Sequence, residues 1–160
     1  MELGRAREAL AHLEPAVESQ PNPRYLVHFA DALWQIGDSG AALDAASMAV
    51  RVEPSWPDAT SRLAWMLALA PDAARRDPER ALRIADAALE MAGAPDAQLL
   101  DARAAALAAN GRFAEARADT ERAASLASDP TLAASIQAHA ASYARRELVR
   151  DPPRPFSASP

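Results

Sequence analysis

A doubled column of alanines constrains this chain more than anything else in it. Ala9, Ala42, Ala81 and Ala116 each stand seven residues before a second alanine, Ala16, Ala49, Ala88 and Ala123, and the pairs recur every 33 to 39 residues. Alanine is abundant here, so the scarce residues carry the argument. Three of the five glycines, Gly4, Gly37 and Gly111, lie five positions before an alanine of the first column, and Pro21 and Pro54 lie twelve after one. A repeat of this length, with small residues where two helices cross, reads as a helical solenoid. Such units bury a core only by stacking on their neighbours, and they present an extended surface to other molecules. The expected function is therefore binding, not chemistry.

Composition agrees. Half of the residues are hydrophobic and alanine supplies most of that half, while aromatics make up only 5%. That balance favours helices over strands, so the expected fold class is all-α. The net charge is −5, and no basic block marks a nucleic-acid footprint. All seventeen basic residues are arginine, which we read with the alanine excess as coding bias towards G and C. Without cysteine there are neither disulfides nor thiolate metal sites. No stretch approaches the roughly 20 apolar residues of a membrane span, and residues 1–4 have no signal-peptide character. A cytoplasmic location is the default expectation, unless the chain is a piece of a longer exported or membrane protein.

Helix punctuation divides the chain into about eight helices, near 4–19, 23–36, 39–53, 57–70, 78–92, 96–109, 113–127 and 130–149. Asn22-Pro23, Asp77-Pro78 and Asp129-Pro130 each place a capping side chain before a proline suited to the first turn. Trp56-Pro57-Asp58 and Ala94-Pro95-Asp96 start helices with an acid in the first turn. Gly37, Gly93 and Gly111 fit the left-handed position after a helix end. The segment 71–78 replaces a tight turn and accounts for the longest interval in the column. The end, 151–160, carries four prolines and is expected to be an extended or disordered tail. Its Pro152–Pro155 spacing matches a PxxP pattern, for which a plain tail is the better reading.

The pairing resembles the tetratricopeptide repeat (TPR), whose unit is about 34 residues long. Its small residues, glycine and proline fall here on Ala30, Ala42, Ala49, Gly37 and Pro54, and its larger apolar places on Leu26, Phe29 and Leu33. A second repeat starts near Pro57 with Leu63, Ala64 and Leu67, and a third near Ala97 with Leu100, Ala104 and Leu107. Arg103 departs from the pattern at a place that is usually apolar, so its helix is expected to pack loosely or to bury only the arginine stem. The run Leu63-Ala64-Trp65 through Pro71, then Arg76-Asp77, is similar to a bacterial subgroup with this insertion. That subgroup often forms the C-terminal part of longer repeat proteins, and Leu148-Val149-Arg150 with Arg154-Pro155-Phe156 loosely echoes its ending. The resemblance implies a right-handed superhelix over 1–150: a half repeat 1–21, repeats near 22–55, 56–94 and 95–128, and a capping helix 130–149.

No chemistry emerges beside it. His12, His28 and His139 are far apart, with no spacing that puts two metal ligands on one helix face. There is no phosphate loop and no nucleophile elbow, so no catalytic residue, metal or cofactor is expected. In the family the first helix of each repeat lines a concave groove. That implies a partner groove formed by Arg24, Val27, His28, Asp31, Trp34 and Gln35, then Asp58, Ser61, Arg62, Trp65 and Leu69, then Gln98 and Asp101. The Lys and Asn that grip chaperone tails in some members are replaced by Val27 and Asp31, so that clamp is absent. An acidic-to-apolar groove suits a protein segment with a basic residue and one or two apolar anchors. Trp56, lying between repeats, is expected to plug a helix junction.

Three functions are consistent with this pattern. The leading one is a non-catalytic protein-interaction module. The others are an accessory repeat region of a larger enzyme, such as a glycosyltransferase or kinase, and an end-to-end self-assembly unit. Leu3, Ala6, Leu10, Leu13 and Val17 form an apolar stripe on the first helix, which is expected to meet an upstream segment, a partner or a second copy.

Overall fold

The computed structural model describes the backbone of residues 2–149 and the side chains of 4–149. The tail 151–160, with its PxxP spacing and the Arg154-Pro155-Phe156 echo, lies outside the described residues. Eight helices run in order: α1 Glu2–Ser19, α2 Pro23–Gln35, α3 Ser39–Val52, α4 Pro57–Leu69, α5 Pro78–Ala92, α6 Ala97–Ala109, α7 Phe113–Leu126 and α8 Pro130–Ala144. Among the described residues there is no strand. None of these helices is long and apolar enough to cross a membrane.

The local causes are those the punctuation implies. Asn22, Asp38, Asp77 and Asp129 each accept a backbone N–H of the first turn. Asp96 accepts two, from Gln98 and Leu99, and so caps α6 instead of lying within its first turn. Gly37, Gly93 and Gly111 adopt φ of 92°, 66° and 79°, a left-handed conformation that lets the chain leave a helix without a Cβ clash.

One helix end departs from expectation. α8 stops at Ala144, well before residue 149. Arg146 adopts φ 58° despite its side chain, and the N–H groups of Arg145 and Glu147 both donate to the Ser142 carbonyl at 3.0 Å. Nothing in composition marks such a turn, because a non-glycine residue occupies the left-handed position.

Helices pack in sequential antiparallel pairs, and α4 also packs broadly on α6. The alanine columns explain how. Ala42, Ala81, Ala116, Ala49 and Ala123 are fully buried and Ala88 nearly so, as are Ala30, Ala64 and Ala104 on the facing helices. Small residues at the crossings let backbones approach, and larger residues between them fill the core: Leu63, Met66, Leu67 and Leu107 in one continuous cluster, Leu100 and Ile136 in another. The insertion is ordered. Asp77 N–H donates to the Leu67 carbonyl at 2.9 Å, and Arg75 reaches back to the Gly40 carbonyl and Asp44, each at 3.3 Å. A Cβ on Gly40 would meet that guanidinium at 3.3 Å.

Arg103 is neither loose nor buried by its stem alone. It forms ion pairs with Asp86 of α5 at 2.8 Å and Asp119 of α7 at 3.4 Å, tying three helices together where an apolar residue was expected. The N-terminal stripe also turns inward. Ala6 is buried, Leu10 packs on the main core, and Val17 packs beside Leu26 and Val27. Leu13 is half-buried, and the side chain of Leu3 lies outside the described residues. The outward face of α1 carries Arg5, Arg7, Glu8, His12, Glu14 and Glu18.

Candidate functional site

The expected groove residues divide sharply by burial. Val27 is fully buried in a cluster with Leu26, Ala49 and Ala59, against which Val17 and Trp56 pack. It is core, because α1, α3 and α4 close around that part of α2. Ser61 is buried too, its hydroxyl donating to the Asp58 carbonyl at 3.1 Å. Trp65 is 5% exposed and belongs to the main core. These three cannot offer side chains to a partner in this structure.

Asp31 is the largest departure. It is 2% exposed, and its carboxylate oxygen lies 3.0 Å from Nε of Arg62 on α4. The two are not aligned as a hydrogen bond, and neither Asp31 oxygen finds a hydrogen-bond partner in the protein. Burial pushes the Asp31 carboxyl up to about 7, with Arg62 opposing that rise. An Asp31→Arg substitution would set a second cation against Arg62, so it would test folding and not binding.

Asp101 is also engaged. The Nδ1 of His139 on α8 lies 2.9 and 3.1 Å from its two oxygens. A carboxylate here can only accept, so Nδ1 carries the proton and donates. This pair fastens the last helix to α6. Beside it the Tyr143 hydroxyl is buried without a protein hydrogen-bond partner, and burial together with the Asp101 charge raises its pKa.

The accessible residues lie at the two ends of the inner helices. At one end, Trp34 and Gln35 of α2 and Leu69 of α4 are half-buried. The Trp34 ring meets Trp65 edge-on, with centroids 5.9 Å apart and planes at 73°. Trp34 thus packs on the core and stays partly exposed. At the other end are Arg24, His28, Asp58, Arg62 and Gln98. Arg24 lies over the Trp56 ring at 5.9 Å, and Trp56 fills the junction of α2, α3 and α4. Burial lowers the His28 pKa, helped by the charges of Arg62 and Arg24. Asp58 is pushed up to about 6 by burial and by the nearby Asp96 carboxylate, against Arg62, Arg24 and a hydrogen bond from Trp56. The Asp31–Arg62 pair and the buried Trp65, Ala105 and Ala108 fill the space between the two ends.

The partners of His139 and Arg103 are what sequence reasoning missed. Both partnerships join residues distant in sequence, so spacing gave no signal for them. Among the described residues no group of three His, Cys, Asp or Glu side chains is placed to hold a metal.

No family model matches the chain, and no curated protein does. Among solved structures it is similar to TTC0263, a thermophilic TPR protein of Thermus thermophilus. The TM-score is 0.72 at 24% identity, over 91% of this chain and 77% of that one. At that identity the likeness is one of fold. The chain folds as a TPR-like helical solenoid.

Proposed function

We propose that the protein is a non-catalytic interaction module that binds a peptide or helix of another protein along its inner helices α2, α4 and α6. One observation carries the reading. Trp34 and Leu69, large apolar side chains on neighbouring inner helices, pack on the core and still stay partly exposed. Half-buried aromatics held by packing are the usual anchors of protein interfaces, since they lose little entropy on binding. At the other end of the same helices, Asp58 and Asp96 lie among Arg24, His28 and Arg62, so a partner meets charges of both signs there. The middle, filled by the Asp31–Arg62 pair, Trp65, Ala105 and Ala108, adds little specificity.

The test is an affinity pulldown with mass spectrometry, run with the native chain and with Leu69→Glu. A charge at Leu69 spoils an apolar anchor without replacing Trp65 or any alanine of the crossings, and because Leu69 also packs on the core, helicity and melting are checked alongside. A partner retained by the native chain and lost from Leu69→Glu, at unchanged helicity, is the expected result. Equal retention by both would remove the inner face from consideration.

A further inference from the structure

Two helices of the stack carry faces that no other described helix covers. The outer helices α3, α5 and α7 each lie between the inner helix before them and the inner helix after them. α1 has the register of an outer helix and packs on α2, with no inner helix before it among the described residues. The difference is visible residue by residue. Ala42, Ala81 and Ala116 are fully buried, as are the residues four places on, Ala46, Ala85 and Thr120. Their counterparts on α1, Ala9 and Leu13, stay partly exposed, and so does Ala16 of the second column.

α8 shows the converse. It starts on Asp129-Pro130 as α2 starts on Asn22-Pro23, and His139 ties it to the inner helix α6. Seven places after their first residues, α2, α4 and α6 carry Ala30, Ala64 and Ala104, all fully buried. The same place on α8 is Gln137, which is exposed, and Ala133 and Ala140 on the same face are only partly buried. An open groove runs between α7 and α8, lined by Ala124, Ser125, Gln137 and Ala140, with Glu121 as its one charge. The strap 145–149 does not fill it. Arg146 lies 5.4 Å over the ring of Phe113, at the opposite end of α7, and Val149 tucks into the main core.

The two open faces are the halves of one pairing: an outer helix without its inner partner, and an inner helix without its outer one. We propose that they pair between copies, with α1 of one molecule docked in the α7–α8 groove of the next and antiparallel to α8. This continues the inner–outer packing that the chain makes three times within itself, as α2–α3, α4–α5 and α6–α7. Charge agrees with the match. α8 contains no Asp, Glu, Lys or Arg, so the Ala9, Leu13 and Ala16 face meets no fixed charge on it. Glu121 lies five residues after Ala116, and His12, which borders the open face of α1, lies three after Ala9. In matching register the base and the acid stand about 3 Å apart along the helix axis. Glu121 already pairs with Arg117 at 2.9 Å, but on an exposed surface where such a pair is weak. A contact between two different surfaces does not close at two copies, so assembly continues from either end. It leaves the inner helices free and does not depend on their being a binding surface.

The test is the mass of the full chain by light scattering, from micromolar to millimolar concentration. The expected mass rises with concentration and passes that of a dimer. Two exposed positions then separate the faces. His12→Glu sets a second acid near Glu121, and Gln137→Glu puts one in the groove; both side chains are exposed in the single copy, so helicity and melting should hold. Each variant alone should need about tenfold or more protein to associate. An equimolar mixture of the two should form a one-to-one dimer, because the first keeps an intact groove and the second an intact α1. A native chain that stays monomeric throughout, or associates equally well with both substitutions, would overturn the proposal. So would a native mass that stops at a dimer with no rescue in the mixture, since that contact would be symmetric.

Discussion

Asp31 gives the sharpest quantitative prediction. Its carboxylate is buried against Arg62 without an aligned hydrogen bond, and its pKa stands near 7 in the folded protein. In the unfolded chain it titrates near 3.9. The folded state therefore holds a proton that the unfolded state has lost, throughout the window from about pH 4 to about 7. The stability contribution is full below the unfolded value and is lost as pH rises through the folded one. A span of this size corresponds to roughly 4 kcal/mol from one side of the window to the other. Asp58 acts in the same direction with a smaller, solvent-screened share. His28, with its lowered pKa, acts oppositely near its unfolded value of about 6.5. Urea unfolding at pH 5, 6, 7 and 8 should show the native chain losing stability with rising pH. Asp31→Asn mimics the protonated side chain and should flatten most of that slope, while His28→Gln should steepen it. If Asp31→Asn kept the native slope, the buried pair would not be the origin of the pH dependence, and its place in the α2–α4 junction would need another account.

Three further substitutions test the packing. Ala104→Leu, at a fully buried crossing on α6, should cost about 1–3 kcal/mol by overpacking, read from the denaturation midpoint. Tyr143→Phe removes a buried hydroxyl that has no partner in the protein, so thermal melting should show a neutral to stabilising change of up to ~1 kcal/mol. His139→Ala leaves Asp101 facing an empty space and should abolish hydrogen-exchange protection in α8 before that of α2 to α6.

The architecture was readable because its causes are local. Capping acids before prolines, glycines after helices, and alanines at crossings each act through neighbouring residues, and they set α2 to α7 to within a residue or two at each end. The end of α8 was not readable, because Arg146 takes the left-handed place without being a glycine. The candidate surface was readable only in part. Val27, Asp31 and Ser61 occupy places that face inward in the family, but their exposure depends on how closely α1, α3 and α4 approach, and no single helix encodes that. Asp101 looked available until His139, 38 residues later, came to rest on it. Trp34 was expected in the groove, and the structure packs its ring against Trp65 while leaving it partly exposed.

The central claim is that the inner helices are the working surface. The most direct measurement is a hydrogen-exchange footprint of the full chain with and without a protein partner captured by the native chain. The account predicts new protection in α2 and α4, around Trp34 and Leu69 and at the N-terminal turn of α4, with α3, α5 and α7 unchanged. Protection confined to those outer helices, with α2 and α4 exchanging as in the free chain, would contradict it.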